Sequence, residues 1–412
     1  MLILILEDEQ THLLQPIALA RPAYAISCGG YRLIDWLRLL GGTIRGSVRA
    51  HLRELQHADY QVESAEQLDG SVDVLVVNAA VVPSVAAFRQ LEAIAQAGRA
   101  CSVVSGGRLA AAMLTRDETS QPPISLRNVE NLVDRLKTLP AREASLPLFE
   151  YPHDVVRHNM EILRENLEHR IRRGEYREIE DGVFAAPGVS LGPHCVTDTK
   201  AGPIVLDARA TIGPFCFFRG PALIGAGAKL IEHASIKDAV SLGHTTKIGG
   251  EVEASVVEPF TNKQHHGFLG HSYLGSWVNL GAGTCNSDLK NTYGKVNMEY
   301  PDQRVATGMQ FLGCMMGDYS KTAINTGIFT GKIVGVCSML YGFITSNVPS
   351  FVNYARLFGQ VTELPPEVMI AAQERTFRRR NVQQRPCDIQ LIHDMYELTR
   401  EERQFGSEPL AL

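Results

Sequence analysis

Residues 206–249 read LDARATIGPFCFFRGPALIGAGAKLIEHASIKDAVSLGHTTKIG, and an apolar residue recurs in this stretch at every sixth position. The residues that keep this period are Leu206, Ile212, Phe218, Ile224, Leu230, Ile236, Leu242 and Ile248. An amphipathic helix needs a period of about 3.6 and a half-buried strand a period of about 2, so neither explains the pattern. A period of six is typical of a solenoid in which each side of a triangular coil sends one aliphatic side chain to the axis. The stretch predicts a left-handed parallel β-helix of hexapeptide repeats.

The six-residue step continues along the chain with two interruptions. A second run with this step consists of Met316, Thr322, Ile328, Val334 and Leu340. Between the two runs, Phe268, Leu274 and Leu280 keep the step but are offset by two positions from the first run. This offset predicts that residues 258–266 (EPFTNKQHH) bulge from a coil. Residues 285–308 show no hexad pattern and are predicted to loop out, and such loops often carry function.

The residues before and after the repeat predict other elements. The apolar runs LILIL, DVLVVN and CSVV alternate with a helical pattern, SVAAFRQLEAIAQAG, which indicates an α/β domain with a Rossmann-like, mainly parallel sheet. Apolar residues spaced by three and four positions predict an amphipathic helix from about His153 to Arg173. The predicted segments are the α/β domain (1–150), a linker helix (151–180), the β-helix (181–360) and a C-terminal tail with two closing helices (361–412).

The composition excludes several classes of protein. The 412 residues carry a formal charge of −5 with dispersed basic residues, which argues against a nucleic-acid partner. No stretch approaches the ~18 apolar residues of a membrane span, and MLILILEDEQ lacks the basic lead of a signal peptide, so we expect a first strand there. The eight cysteines form no CxxC pair and fit the reduced thiols of a cytosolic protein.

One segment of the repeat region resembles a known enzyme family. Residues 262–286 read NKQHHGFLGHSYLGSWVNLGAGTCN, and the shorter segments RP (21–22), GGEVE (249–253) and SKTAINTG (320–327) accompany them. Together with the order of the predicted domains, they resemble a divergent bacterial branch of the bifunctional N-acetylglucosamine-1-phosphate uridyltransferase/glucosamine-1-phosphate acetyltransferase family. The resemblance implies acetyl transfer from acetyl-CoA to glucosamine 1-phosphate or a similar amino-sugar phosphate. It also implies a nucleotidyltransferase-like first domain, uridylyl transfer to UDP-N-acetylglucosamine if that domain is active, and a homotrimer.

The resemblance assigns roles to three residues of this segment. In the family, a histidine lies fourteen residues before the asparagine of an NxGAGT motif, and here that spacing runs from His265 to Asn279. His265 is therefore expected to be the general base, since a neutral imidazole can take the proton of an attacking amine near pH 7. Asn279 would orient the sugar or the acetyl group. The small Ala282 would let the acetyl-CoA arm pass close to the backbone.

Three further residues are expected to bind the substrate. Arg219 falls where the family keeps an arginine for the sugar phosphate, which a guanidinium can grip bidentately. Asn286 resembles the family's asparagine after the GT step. The family's substrate-gripping lysine falls near Ser255, so Lys263 is the candidate to substitute for it, and the family's tyrosine after the base is Phe268 here.

The first domain departs further from the family pattern. Nucleotidyltransferases of this type open with a glycine-rich loop that holds nucleotide phosphates, but here the stretch after the first strand reads LEDEQTHLLQPIALARP. Glu7, Asp8 and Glu9 stand where phosphate would approach, and DVLVVN ends in Asn78 instead of a metal-binding aspartate. If the domain is active, these acids could bind Mg²⁺ instead of repelling the triphosphate.

Two other interpretations of the histidines stay open. A γ-class carbonic anhydrase is also a hexapeptide β-helix. Its second and third zinc ligands are five residues apart, as are His266 and His271, and His244 lies 22 residues before His266. Alternatively, the solenoid is a structural trimer whose first domain binds a sugar nucleotide without turning it over, and His266 and His271 pack or bond within loops. Arg378, Arg379 and Arg380 are interpreted as a solvated helix end, with a grip on an anionic cofactor as the alternative.

Overall fold

The computed structural model describes residues 1–68, 72–119, 124–126, 128–301 and 303–403 of the chain. The end of the predicted C-terminal tail, 404–412, lies outside the described residues. The chain forms two compact units, the first made of Met1–Ser27 and Tyr31–Tyr151 and the second of Cys28–Gly30 and Pro152–Leu412. No helix in the described ranges is both long and apolar enough to cross a bilayer.

The first unit is built on a six-stranded sheet with the strand order β3-β2-β1-β5-β7-β6. The strands of this unit are β1 (Leu2–Leu6), β2 (Thr43–Ser47), β3 (Glu63–Ser64), β4 (Gln67–Leu68), β5 (Val74–Asn78), β6 (Cys101–Ser105), β7 (Arg108–Leu114) and β8 (Ile124–Ser125). Strands β3, β2, β1 and β5 are parallel, which confirms the predicted mainly parallel α/β sheet. The hairpin of β6 and β7 is antiparallel and was not predicted.

In the described residues of this unit, five α-helices accompany the sheet. They are α1 (Leu33–Leu40), α2 (Arg53–Tyr60), α3 (Val85–Ala97), α4 (Arg116–Thr119) and α5 (Val129–Lys137). Helix α3 is the helix predicted from SVAAFRQLEAIAQAG: the Ser84 side chain caps its first turn by accepting from the amide of Ala87, and Gly98 ends it in the left-handed region. Its apolar face buries Phe88, Leu91 and Ile94.

The second unit opens with the long helix α6 (Pro152–Arg173), in agreement with the predicted amphipathic helix. Its buried residues Leu163 and Leu167 pack against Val205, Leu223 and Ala239 of the β-helix. The contact buries apolar side chains on both partners, and each buried leucine or valine contributes about 1.5–3 kcal/mol relative to exposure. The helix is therefore fixed to the side of the solenoid.

Short parallel strands stack into the three faces of a β-helix, which confirms the predicted fold. Face one consists of Arg177–Glu180, Val183–Ala185, Ile204–Leu206, Ala222–Ile224, Val240–Leu242, Val256–Val257, Tyr273–Leu274, Met315–Met316 and Ile333–Val334. Face two consists of Thr211–Ile212, Lys229–Leu230, Lys247–Ile248, Asn262–Lys263, Lys321–Thr322, Met339–Leu340, Val352–Ala355 and Gln360–Glu363. Face three consists of Val196–Asp198, Phe217–Arg219, Ser235–Lys237, Glu251–Glu253, Phe268–Gly270, Cys285–Asn286, Gly327–Ile328 and Phe343–Ile344. Only Arg177–Glu180 and Gln360–Glu363, at the two ends, pair antiparallel among these described strands.

The residues of the six-residue period fill the axis of the solenoid. All eight residues of the first run are buried in one core cluster. Phe268 was expected to belong to this set and does not. The neighbouring Leu269 pairs with Val252 and is buried, whereas Phe268 is half-buried. The prediction for Phe268 was wrong because counting in sixes assumes that every side of the coil has the same length.

Residues 258–266 do not bulge, which corrects a second prediction. Asn262–Lys263 pair in register with Lys247–Ile248 as a regular strand of face two. The phase changes because two sides of the coil are short: Ile248, Val252 and Val257 occupy successive inward positions although they are only four and five residues apart. A shortened side shifts the phase of the six-residue period although the chain stays in the coil.

The predicted loop between the two runs is present, but it starts later and is partly ordered. Cys285–Asn286 still pair with Gly327–Ile328 on face three. The chain then leaves the coil over residues 287–313, which we call the insertion, and Asn297–Tyr300 pairs with Gln303–Ala306 as an antiparallel hairpin. The coil resumes at Met315–Met316 on face one.

Two helices follow the last coil, as predicted. They are α7 (Pro366–Arg378) and α8 (Pro386–Leu398), and a 3-10 turn over Arg400–Arg403 ends the described chain. Helix α7 contacts the solenoid through Phe377, whose ring lies 4.3 Å from that of Trp277. Trp277 in turn stacks on Phe260 at 4.2 Å, so a ladder of aromatic rings on the edge between faces one and two anchors the helix.

Candidate functional site

The histidine turn, residues 264–267, crosses the edge from face two to face three. It follows the strand Asn262–Lys263 and precedes the strand Phe268–Gly270. His265 and His266 are both exposed in this turn. The edge therefore presents an imidazole to solvent while the two flanking strands are fixed by pairing with neighbouring coils.

Lys263 lies beneath this turn, inside the solenoid. It pairs with Ile248, so its side chain takes an inward position that an aliphatic residue occupies in other coils, and it is only 2% exposed. Its ammonium donates to the carbonyl oxygens of Gly249 at 2.9 Å and His265 at 3.1 Å. Burial lowers the pKa of Lys263 to about 8, because the interior disfavours the charged form. The structure thus places Lys263 as a support of the histidine turn and away from solvent.

Ala282 and Asn279 lie on the coil that follows the histidine turn. The amide of Gly283 donates to the carbonyl of His266 at 3.0 Å, so Ala282 runs alongside the turn at about the 4.8 Å spacing of neighbouring strands. Asn279 bridges to Asn262 and is exposed on face two. The structure therefore brings Ala282 beside the histidine turn and places Asn279 on the adjoining face two, next to Asn262.

Arg219 lies apart from this edge. It sits on face three, three strands before Phe268–Gly270, which corresponds to about 14 Å at the usual strand spacing. Its guanidinium forms ion pairs with Asp238 at 3.3 Å and Asp198 at 3.6 Å. Lys237 is one strand closer to the histidine turn and bonds to Glu251 at 2.6 Å. Within one chain, the structure does not bring Arg219 to His265.

Asn286 is buried inside the coil and bonded to backbone. Its side-chain oxygen accepts from the amide of Gly270 at 2.8 Å, and its side-chain nitrogen donates to the carbonyl of Gly270 at 3.0 Å. This pair of bonds joins two consecutive coils of face three, as a backbone ladder would. The structure gives Asn286 a coil-to-coil role and leaves its amide little reach towards a substrate.

A histidine–aspartate pair that the sequence analysis did not identify lies at the edge between faces three and one. His271 Nδ1 is 2.8 Å from Asp288 Oδ2, and the ring of His271 stacks on Phe311 at 5.3 Å. Both side chains are largely buried. Asp288 and Phe311 belong to the insertion, so this pair fastens the insertion to the coil. The sequence could have predicted this pair, because Asp288 lies seventeen residues after His271, which is about the length of one coil.

The three histidines of the carbonic anhydrase interpretation occupy three different edges of the solenoid. His244 lies between faces one and two against Phe260, His266 between faces two and three, and His271 between faces three and one. In the described part of the chain, no group of three or more His, Cys, Asp or Glu side chains is placed to hold a metal ion. The geometry of one chain does not gather these residues.

The acidic residues after β1 are bonded to arginines of the first unit. Asp8 receives two hydrogen bonds from the buried Arg108, Nη2 to Oδ1 at 2.8 Å and Nε to Oδ2 at 3.0 Å. Glu7 pairs with Arg49 in the same way, at 3.0 and 3.1 Å. The side-chain nitrogen of Asn78 donates to Asp8 Oδ2 at 2.8 Å. These carboxylates therefore stabilise the strand ends of the sheet.

This network bears on the Mg²⁺ that the family resemblance implies. A pocket of about 270 Å³ beside it is lined by Asp8, Glu9, Arg108, Glu130 and Asp134 among others. Hard cations need several free oxygen ligands. Asp8 is already bonded by a guanidinium and an amide, and the described residues offer no set of three ligands for a metal. The residues present do not fit Mg²⁺.

Comparisons with known proteins agree with the resemblance found in the sequence. Residues 3–173 match the model of the sugar nucleotidyl transferase family. The chain is 33% identical over 118 residues to the "Bifunctional protein GlmU" of Cupriavidus pinatubonensis, which is 28% of this chain and 25% of the relative. It is 31% identical over 97 residues to the "Bifunctional sugar-1-phosphate nucleotidylyltransferase/acetyltransferase" of Sulfurisphaera tokodaii, 23% of this chain and 24% of the relative.

Among solved structures, the chain is similar to the UDP-N-acetylglucosamine acyltransferase of Francisella novicida, with 13% identity and a TM-score of 0.34 over 54% of this chain and 75% of that one. The matched segments span about a quarter of the length of the curated relatives. The partial matches support the expected resemblance to the bifunctional family.

Proposed function

We propose that this chain, a divergent relative of the bifunctional uridyltransferase/acetyltransferase family, transfers the acetyl group of acetyl-CoA to the amine of an amino-sugar 1-phosphate such as glucosamine 1-phosphate. The observation that supports this most directly is the exposed His265 beside Ala282 on one edge of the solenoid, above the buried Lys263. A rigid edge with a free imidazole suits chemistry that needs one proton acceptor at a fixed position.

In the proposed reaction, the neutral amine of the sugar attacks the thioester carbonyl. His265 accepts the proton that the nitrogen loses as the amide bond forms, and the thioester bond breaks with departure of the coenzyme A thiolate. Asn279, exposed on the following coil, would orient the sugar or the acetyl group, and Ala282 leaves room beside the edge for the acyl arm. The finer identity of the acceptor is part of the proposal.

A homotrimer is the proposed assembly. Several large apolar side chains are exposed on face three and on its edge with face two, among them Phe215, Ile324, Phe329 and Phe343. Ile324 is 69% and Phe343 59% exposed, and side chains of this size are candidates for contact with a partner subunit. Packing of subunits on this face would cover it and would place a partner chain next to the histidine turn. A second chain could then supply the phosphate contacts that Arg219 does not reach within one chain.

The test of the proposed function is an assay of coenzyme A release from acetyl-CoA with glucosamine 1-phosphate, glucosamine 6-phosphate and free glucosamine as acceptors. We expect turnover that is fastest with the 1-phosphate. Static light scattering at micromolar concentration should return three times the chain mass. Lack of coenzyme A release with every amino sugar would refute acetyl transfer, and a monomer mass would refute a site shared between subunits. Cytoplasmic localisation follows from the proposal, since acetyl-CoA and sugar phosphates are cytoplasmic metabolites.

A further inference from the structure

Two lysines stand side by side on the outer surface of face two. Lys229 and Lys247 are directly paired on neighbouring parallel strands, while the residues after them, Leu230 and Ile248, point to the axis. Like charges that face each other across neighbouring strands repel, and such pairs are avoided unless something compensates them. The next strand continues the row with Asn262 in register with Lys247.

Helix α7 brings two arginines to the same surface. Phe377 is buried against Trp277, which fixes the end of the helix, and the amide of Arg380 donates to the Phe377 carbonyl at 2.8 Å. The Arg380 guanidinium donates from Nη2 to the side-chain oxygen of Asn262. Arg380 is therefore bonded to the strand next to that of Lys247. Its position is fixed by the buried Phe377 and is not that of a freely rotating surface side chain.

We call the four residues Lys229, Lys247, Arg379 and Arg380 the basic cluster. Their positive charges are not balanced by carboxylates of the described residues. The pKa of Lys247 is lowered by burial and then by the charges of Arg380, Lys229 and Arg379. The pKa of Arg380 is lowered by burial and by Arg379. In the described ranges of the chain, none of the four residues forms an ion pair with a carboxylate, whereas the adjacent Arg378 pairs with Glu374.

We propose that the basic cluster is a binding site for a small anion that carries two linked phosphate groups. Two lysine ammonium groups supply point charges on a rigid sheet, and the arginines supply planar forks that match phosphate oxygens. A single carboxylate or phosphate would leave most of the four positive charges unbalanced, whereas a diphosphate carries the charge and the length to contact both strands and the helix end. The proposal does not rest on acetyl transfer.

The test uses the full-length chain and isothermal titration with inorganic pyrophosphate at physiological ionic strength. We expect a site with a dissociation constant of about 1–100 μM, the range of a moderately strong phosphate grip. Lys247→Gln and Arg380→Gln should each weaken binding by at least tenfold, and the double variant Lys229→Gln/Lys247→Gln should abolish it. Glutamine keeps hydrogen-bonding capacity, so we expect the variants to fold. Circular dichroism and thermal melting check that they do.

Arg378→Gln is the matched control, since it removes one positive charge from the same helix end but from a residue that is already paired with Glu374. Its pyrophosphate affinity should stay within a factor of about two, as expected for a paired surface charge. Equal weakening in Arg378→Gln and Arg380→Gln would show a diffuse charge effect and overturn the site. Pyrophosphate binding that survives unchanged in Lys229→Gln/Lys247→Gln would place the anion elsewhere and also overturn it.

Two further titrations identify the source of the diphosphate. UDP and desulfo-coenzyme A both carry one, and each is measured with the parent chain and with Lys229→Gln/Lys247→Gln. Loss of UDP binding in the variant assigns the site to a nucleoside diphosphate, and loss of desulfo-coenzyme A binding assigns it to the acyl donor. Retention of both, with pyrophosphate binding lost, assigns it to a free anion. Failure of acetyl transfer in the parent chain would leave all three results interpretable.

Discussion

The ammonium of Lys263 donates a hydrogen bond across 3.1 Å to the carbonyl oxygen of His265, from inside the solenoid to the turn on its edge. A second bond from the same ammonium, to Gly249, fixes the side chain to the preceding coil. A buried cation costs free energy unless it is hydrogen-bonded, and here its partners are the backbone of the preceding coil and of the histidine turn itself. The lysine therefore couples the interior of the solenoid to the position of the proposed base.

The first prediction concerns stability against pH in Lys263→Met. The pKa of Lys263 is lowered from 10.5 to about 8 by burial. Between these values the unfolded chain binds more protons than the folded one, so stability rises as pH rises from about 8 to about 10.5. At 1.36 kcal/mol per pKa unit, the rise is about 3 kcal/mol. In urea unfolding, the stability of the parent chain relative to Lys263→Met should therefore increase by about this amount between pH 7.5 and pH 11.

Lys295→Met is the control, because Lys295 is exposed in the insertion. Its stability curve should run parallel to that of the parent chain. If Lys263→Met also runs parallel, Lys263 titrates as it would in water, and the buried ammonium does not constrain the histidine turn.

The second prediction tests His265 directly. His265→Ala should keep the melting temperature, because the residue is exposed and fills no axial position. Turnover with glucosamine 1-phosphate should fall by ~10²–10⁴, the usual contribution of a positioned base. The loss should shrink as pH rises, since the sugar amine then deprotonates unaided. The measurement is the pH profile of coenzyme A release between pH 6.5 and 9.

His266→Ala provides the matched comparison, since His266 is the next residue of the same turn and is also exposed. It should lower turnover only slightly. Equal losses in the two variants would show that the turn as a whole matters and that His265 is not the base. A larger loss in His266→Ala would transfer the role to His266.

The sequence was sufficient for the fold because one periodicity dominates it. Leu206 to Ile248 return to the axis every six residues, and no other common element shares that period. Register was harder to predict where a side of the coil is short. Val252 follows Ile248 after four residues, with Gly250 and Ala254 in the left-handed region on either side of the strand, and an apolar pattern does not reveal such a turn.

Two other features that the sequence analysis did not predict have identifiable physical causes. Lys263 is an inward residue, but a sequence pattern counts lysine as polar and assigns it to solvent. The strand Arg108–Leu114 contains the run Ala110–Ala112, and alanine favours helix in isolation. Its hairpin signal was nevertheless present, because Gly106 and Gly107 both adopt positive φ between β6 and β7, as a tight hairpin turn requires.

The third prediction concerns the His271–Asp288 pair as the fastening of the insertion. Asp288→Asn keeps the shape of the side chain but removes the charge that His271 faces at 2.8 Å. We expect a loss of about 1–3 kcal/mol in the free energy of unfolding, as for other largely buried polar partners. The insertion should also become more sensitive to chymotrypsin at Tyr293 and Phe311, which are exposed.

A double-mutant cycle of His271→Asn and Asp288→Asn separates the pair from its surroundings. The losses should be far from additive, with a coupling of at least 0.5 kcal/mol in urea unfolding. Additive losses would show that the two side chains act independently, and the contact with Phe311 would then be the main attachment of His271.

The last prediction concerns the first unit and separates a structural carboxylate from a metal ligand. Asp8 is bonded by two nitrogens of the buried Arg108, so Asp8→Asn would leave that guanidinium without its charged partner. Breaking a buried pair from one side costs about 3–5 kcal/mol, which should lower the melting temperature of the first unit with or without Mg²⁺. Glu9→Gln removes the same charge from the same pocket at an exposed position and should change the melting temperature little. Thermal melts of the parent chain and both variants are run with EDTA, with Mg²⁺ and with Mg²⁺ plus UTP. If the carboxylates serve the fold, Mg²⁺ shifts all three proteins equally. A Mg²⁺-dependent stabilisation of the parent chain that Asp8→Asn abolishes and Glu9→Gln keeps would identify Asp8 as a metal ligand, and the ion pair with Arg108 would then have to open for nucleotide binding.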